Sequence, residues 1–317
     1  MVITEFVFAV AVTLALFVIL ASIPVLAQIG TVVTPLPVLY FYCRMGRFRG
    51  LLYYVLTLFL VFWFLTSFEA PVATSYYFIL SSLGLILSEV LRLDLSIEKT
   101  VLITSAGLLI LVVAVLSWHG VSSGRGLSFL VEENVARIVR ENIELYAGTG
   151  APAAHVEMIR SKEARITAVL LGVIPSLVIT GCAVVSWVSL LAGSILFRKR
   201  NMWYPDFGDL TRWKLPDGIV WVAVITFAVA LIPWKATLLI GMNGLIIMLF
   251  LFMLQGFAVI SCFFKVKQVP LFIRIALYLM ILIQPLLFLP VAVLGIIDMW
   301  ADFRKPAFSS PDFPEDT

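Results

Sequence analysis

Apolar residues along this chain fall in long continuous runs, at roughly 6 to 27, 32 to 43, 51 to 67, 71 to 91, 100 to 118, 166 to 197, 217 to 233, 236 to 264 and 271 to 299, parted by short polar turns. Runs of this length that do not alternate with polar residues predict helices that are hydrophobic all round. About 20 such residues match a hydrocarbon core about 30 Å thick. The pattern therefore predicts an all-α, polytopic integral membrane helical bundle of about eight to ten transmembrane segments. It divides the chain into amino-terminal membrane helices over 1–118, an amphipathic arm over 119–165, carboxy-terminal membrane helices over 166–305 and a disordered tail over 306–317.

The interruptions carry as much information as the runs. In the stretch from Val32 to Arg49, Pro35 and Pro37 stand at one end and Arg44, Arg47 and Arg49 at the other. A residue before proline avoids the helical region, so Thr34 to Pro37 reads as an extended turn leading into a short helix. In the arm, Leu127, Val131, Val135, Ile138, Asn142 and Leu145 recur at three- and four-residue spacing, predicting an amphipathic helix along the membrane surface. It reads either as a solvated connecting arm or as a lid over an outward-opening pocket. Gly148 to Pro152 break it, and a second helical piece over 153–165 leads into the next span. The tail from Pro306 is rich in proline and acid, with little to bury.

Composition agrees with lipid as the solvent. Hydrophobic residues make up 62% and charged residues 13% of 317, against about 45–50% and about 25% in soluble domains. The amino terminus has Val25 to Ala27 as a small-residue cleavage signal, but it carries Glu5 and no basic segment, so a retained first helix is expected. Basic residues gather at 44–49, at 198–200 with Arg212 and Lys214, and at Lys265, Lys267 and Arg274. Cytoplasmic loops collect such residues, which orients the early spans and puts the 119–165 arm outside. For the last run, the side of its end depends on whether Pro285 and Pro290 fold it into a hairpin.

The net charge of +3 is too small to suggest nucleic acid. Three separated cysteines, Cys43, Cys182 and Cys262, offer neither a disulfide framework nor a paired metal site, and two histidines are too few for most metal centres. No nucleotide, dinucleotide, zinc-protease or serine-hydrolase motif occurs. The expectation is a protein that is not an enzyme, with no cofactor and no metal.

A carboxylate within a span is a site candidate by default. Glu69, between two prospective spans, reads as an interfacial loop residue or a ligand contact. Glu89 reads as an ion pair with Arg92 at i,i+3 or as a substrate or proton site. Asn243 and Gln255, twelve residues apart on one run, point about 120° apart on an ideal helix. Each reads as interhelical glue or as a solute contact. Trp234 and Lys235 mark an interfacial anchor. Ala11 and Ala15 form a small-xxx-small spacing that admits a second helix, from this chain or from a partner. Asp298 and Asp302 share i,i+4 spacing beside Trp300 and Arg304, a cluster suited to a cation, to a basic partner, or to anchoring a helix end.

Several of these features occur in a fixed order: Pro35-Leu-Pro37 before an arginine turn, Ile174-Pro175-Ser176, Trp213-Lys-Leu-Pro216, Asn243 followed by Leu254-Gln255-Gly256, and Gly295-Ile-Ile-Asp298-Met-Trp300-Ala-Asp302-Phe-Arg304. Over nearly the whole chain this string resembles the YybS-like family of uncharacterised bacterial integral membrane proteins. The amino-terminal half is also similar to the substrate-capturing S subunits of energy-coupling-factor transporters. The resemblance implies a multi-pass protein of the bacterial cytoplasmic membrane that works as a transport component. Its partners would be the lipid bilayer, other membrane subunits and an ATPase module, with Ala11 and Ala15 on the docking face and residues 28–37 as a loop over the pocket. A non-enzymatic scaffold or regulator that recruits partners through the arm and the Asp298 to Arg304 cluster is the alternative.

Overall fold

Helix satisfies every backbone group within its own segment, and helix is what nearly all of the apolar sequence forms. The computed structural model describes residues 2–22, 30–66 and 71–304. Glu69, the Val25 to Ala27 signal and the tail from Pro306 lie outside the described residues. Two compact units emerge, one from Met1–Thr167 with Gly181–Asp206, the other from Ala168–Thr180 with Phe207–Thr317.

The first unit contains α1 (Val2–Ser22), α2 (Pro35–Met45), α3 (Arg47–Thr66), α4 (Pro71–Leu91), α5 (Ile97–Ser122), α6 (Leu127–Gly148) and α7 (Ala153–Arg160). The long α8 (Glu163–Lys199) contributes to both units. At the start of α2 the structure corrects the sequence reading. Thr34 is helical, with φ −59° and ψ −39°, and both prolines sit inside the first turn instead of in an extended turn. The N–H groups of a first turn have no intrahelical partner, so proline loses nothing there, and this outweighs the bias on the preceding residue. Gly46, at φ 81°, then ends α2 and lets α3 begin one residue later. A Cβ on Gly84 of α4 would lie 2.4 Å from the Pro35 carbonyl oxygen, so this glycine is what allows α2 to pack against α4. The core of the unit joins Ala9 and Val10 of α1 to Val38, Phe41, Tyr53 and Tyr54, and a second cluster joins Phe17 to Val61, Leu65 and Tyr77.

The arm is helical as expected, but its buried seam is displaced. Val139 and Ile143 are buried, whereas Ile138 and Leu145, from the expected apolar face, are exposed. The seam turns inward on a four-residue step about 100° around the helix from that face, and Arg140 pairs with Glu163 at 3.1 Å.

The second unit contains a short 3₁₀ turn at Leu210–Arg212 and helices α9 (Ile219–Ala230), α10 (Lys235–Val266), α11 (Leu271–Ile283) and α12 (Phe288–Ala301). Six helices among the described residues are long and apolar enough to cross a membrane: α1, α3, α4, α5, α8 and α10. The shorter apolar helices are α9, α11 and α12. The run at 271 to 299 is thus two helices. Pro285 opens a 3₁₀ turn between them, while Pro290 sits harmlessly in the first turn of α12. Lys265, at the end of α10, reaches Asp209, and Arg304, just after α12, reaches the carbonyls of Thr211 and Trp213. The two helices therefore finish at the same loop. This makes α11 and α12 a hairpin and brings Lys265, Arg274 and Arg304 to one end of the unit, while Lys235 starts α10 at the other.

Glycine sets the spacing of this unit. A Cβ on Gly256 would lie 2.0 Å from the Val291 carbonyl oxygen, and one on Gly295 would lie 2.0 Å from that of Phe252. Around this crossing pack Leu215, Phe252, Ala292 and Met299. Gly295→Ala is expected to lower stability by about 1–3 kcal/mol through forced separation of α10 and α12. Gly148→Ala, where nothing lies within 4 Å, should leave stability unchanged or slightly higher; thermal unfolding in mild detergent compares the two.

Candidate functional site

The glycine crossing brings Gln255 within reach of Asp298. Gln255 is fully buried. Its Nε2 donates to Asp298 Oδ2 at 3.0 Å, and its Oε1 accepts from the Leu215 N–H at 3.1 Å. The same Asp298 oxygen accepts from Arg304 Nη2 at 2.8 Å, and the pair is closed off, with the two side chains 0% and 3% exposed. Arg304 Nη1 donates onward to the carbonyls of Thr211 at 3.0 Å and Trp213 at 2.7 Å. Asp302 makes this geometry possible. It caps α12 in the left-handed region, at φ 43° and ψ 55°, and donates its N–H to the Asp298 carbonyl, so the chain reverses and carries Arg304 back under the helix. Aspartate tolerates that conformation better than most residues.

Three stretches far apart in sequence thus meet at one place: Trp213 to Leu215, Gln255-Gly256, and Gly295 to Arg304. Asp298 and Asp302 do not share a helix face, because Asp302 has left the helix. Asp298 and Arg304 face each other inside the unit and so are withdrawn from any partner at the surface, while Trp300 points outward, 70% exposed. Asp298 Oδ1, Arg304 Nε and Thr211 Oγ1 are buried and have no hydrogen-bond partner among the described residues. The site holds one negative and one positive group at close range, so its net charge is zero.

Beside it, Asp209 accepts from the Thr211 N–H at 2.9 Å and from Lys265 Nζ at 3.0 Å. Burial alone would push this carboxyl up, but the Thr211 N–H bond and the Lys265 ammonium outweigh it and hold the group below the usual carboxylate range. Asp209 was not singled out by sequence, although the two-residue spacing to Thr211 is that of an Asx turn.

Asn243 occupies a different neighbourhood in the same unit. Pro175 removes one N–H from α8, and the Asn243 amide enters there. Its Oδ1 accepts from the Ser176 N–H at 2.8 Å, and its Nδ2 donates to the carbonyls of Gly172 at 2.7 Å and Leu239 at 2.8 Å. Ser176 N–H and Gly172 C=O are the pair that an unbroken helix would join to each other. One amide therefore meets both the donor and the acceptor of that rung and ties α8 to α10.

In the first unit, Glu89 is saturated. Arg47 Nη2 and Nε donate to its Oε2 at 2.9 and 3.1 Å, and the Tyr42 hydroxyl donates to Oε1 at 2.5 Å. Arg92, the expected i,i+3 partner, lies farther off at 3.7 Å and stacks over the Tyr42 ring at 5.5 Å. The carboxylate ties α2, α3 and α4 together. No local spacing signalled Arg47 as its main partner. Ala11 and Ala15 lie exposed on one side of α1, with Thr13 and Phe17 buried on the other. Among the described residues, no three His, Cys, Asp or Glu side chains come together in a way that could hold a metal ion.

Removing one partner of a buried ion pair strands the other charge. Asp298→Ala should therefore cost about 3–5 kcal/mol, and Trp300→Ala no more than about 0.5 kcal/mol, in detergent unfolding. Because the folded pKa of Asp209 lies below its unfolded value, its contribution to stability is fully present above the ordinary carboxylate range. That contribution is lost as pH falls through the lowered folded value. Asp209→Asn should remove this segment of the acid dependence of the unfolding temperature.

No curated protein and no solved structure matches the chain. A family model described as predicted membrane protein (DUF2232) matches residues 11–299. That match covers far more than half of the sequence, and the chain belongs to this family of membrane proteins.

Proposed function

We propose that the protein is a transport component of the bacterial cytoplasmic membrane, resembling a substrate-capturing S subunit. The observation that carries this reading is the placement of Ala11 and Ala15. Both lie exposed on α1, while Thr13 bonds to Tyr53 and Phe17 packs on Tyr77 from the opposite side. Small residues on a lipid-facing side let another helix approach backbone to backbone, so this face suits docking of a membrane subunit better than packing within the chain. In this reading the helices of the first unit capture the solute. Energy comes from a partner ATPase module, because the chain carries no nucleotide motif. Transport then requires that capture and release states differ in affinity for the solute.

The alternative, a scaffold that recruits partners through the Asp298 to Arg304 cluster, draws less support, since Asp298 and Arg304 are turned inward. Glu89, like Gln255 of the second unit, is committed to protein partners, and with Glu89 taken, solute contact in the first unit falls to other groups.

The test is affinity purification of the tagged chain from its native membrane in mild detergent. An ATPase module should copurify with the wild type and be lost with Ala11→Trp or Ala15→Trp, while both variants keep the wild-type unfolding temperature. Recovery of the chain without any ATPase module, or retention of the module by both variants, would refute the reading.

A further inference from the structure

Arg44 pairs with Glu5, and Arg47 and Arg92 pair with Glu89. Arg49, Arg198, Lys199 and Arg200 are exposed and meet no carboxylate within ion-pair distance among the described residues. They belong to one end of the first unit. The Tyr40 hydroxyl accepts from Arg44 at 2.8 Å, and the Tyr40 ring lies 6.1 Å from that of Phe197, the residue before Arg198. Tyr204 then folds the chain back onto α8, its ring 5.3 Å from Phe197 and its hydroxyl donating to the Leu190 carbonyl at 2.7 Å. The basic run at the end of α8 and the basic residues where α2 ends and α3 begins thus form a single rim. Two large aromatic side chains stand out from it, Phe48 at 77% and Trp203 at 64% exposure.

This combination has a specific chemistry. Unpaired cations placed where apolar spans begin and end, with aromatic rings at the same depth, match the layer in which phosphate headgroups sit. A free anion would be served by the cations alone. The exposed Leu52 and Val55 of α3 and Ile195 of α8 continue from the rim as apolar surface, which acyl chains can cover. We propose that this rim is a binding site for anionic phospholipid. The phosphate is held by Arg49 and the Arg198 to Arg200 run, and the acyl chains lie along α3 and α8. The site is independent of any transport role.

The test uses the full-length protein in mild detergent, with phosphatidylglycerol and phosphatidylcholine of matched chain length added together and bound lipid read by native mass spectrometry. Phosphatidylglycerol should be retained in preference. Arg198→Gln, Lys199→Gln and Arg200→Gln should each weaken it about fivefold, Arg198→Lys should retain it, and Arg137→Gln on the arm should leave it unchanged. Equal retention of the two lipids overturns the proposal. So does a loss no larger in the rim variants than in Arg137→Gln, or displacement of the lipid by inorganic phosphate at equal concentration.

Discussion

Inside a bilayer there is no water to complete a broken hydrogen bond, and an unmet polar group costs several kcal/mol. The second unit is arranged around that constraint at the Asp298–Arg304 pair. Neither charge could remain buried alone, and the pair forms only because Gly256 and Gly295 let two helices touch backbone to backbone. From that contact the rest follows. Gln255 spans the gap between the carboxylate and the Leu215 amide, Arg304 holds the carbonyls of Thr211 and Trp213, and the 3₁₀ turn beside them is fixed against the end of α10.

The same constraint recurs at Pro175. A proline within a span deprives the helix of a donor, and beside it the Asn243 amide bonds both the Ser176 N–H and the Gly172 carbonyl. Glu89 is handled in kind, with two arginines and a tyrosine hydroxyl around one carboxylate. In each case the polar side chain is consumed by neighbouring protein groups. Surfaces that stay exposed include the small face of α1 and the basic rim of the first unit. The functional proposals rest on those two surfaces.

Much of this was legible in the residues. Continuous apolar runs and the turns between them specify helices and their approximate ends, because the signal is local and depends only on the chain and its solvent. Of the features noticed as an ordered string, Trp213 to Leu215, Gln255-Gly256 and Gly295 to Arg304 prove to be neighbours in space, whereas Asn243 sits apart against α8. Sequence order alone could not say whether their polar groups face lipid, a partner or each other. Two local inferences failed for instructive reasons. The bias against helix before proline was weaker than the freedom of a first helical turn to hold proline, and the apolar stripe on α6 was broad enough for the packing partner to select its edge.

By itself, then, the sequence determined the solvent and the all-helical class, since hydropathy acts residue by residue. Only tertiary structure decided that Asp298 pairs with Arg304, that Arg47 is the nearer partner of Glu89, that Asn243 ties α8 to α10 and that the last apolar run folds into a hairpin. Those choices depend on which backbones can approach within a glycine's radius and which side chains then meet, and neither is encoded in spacing along a single helix.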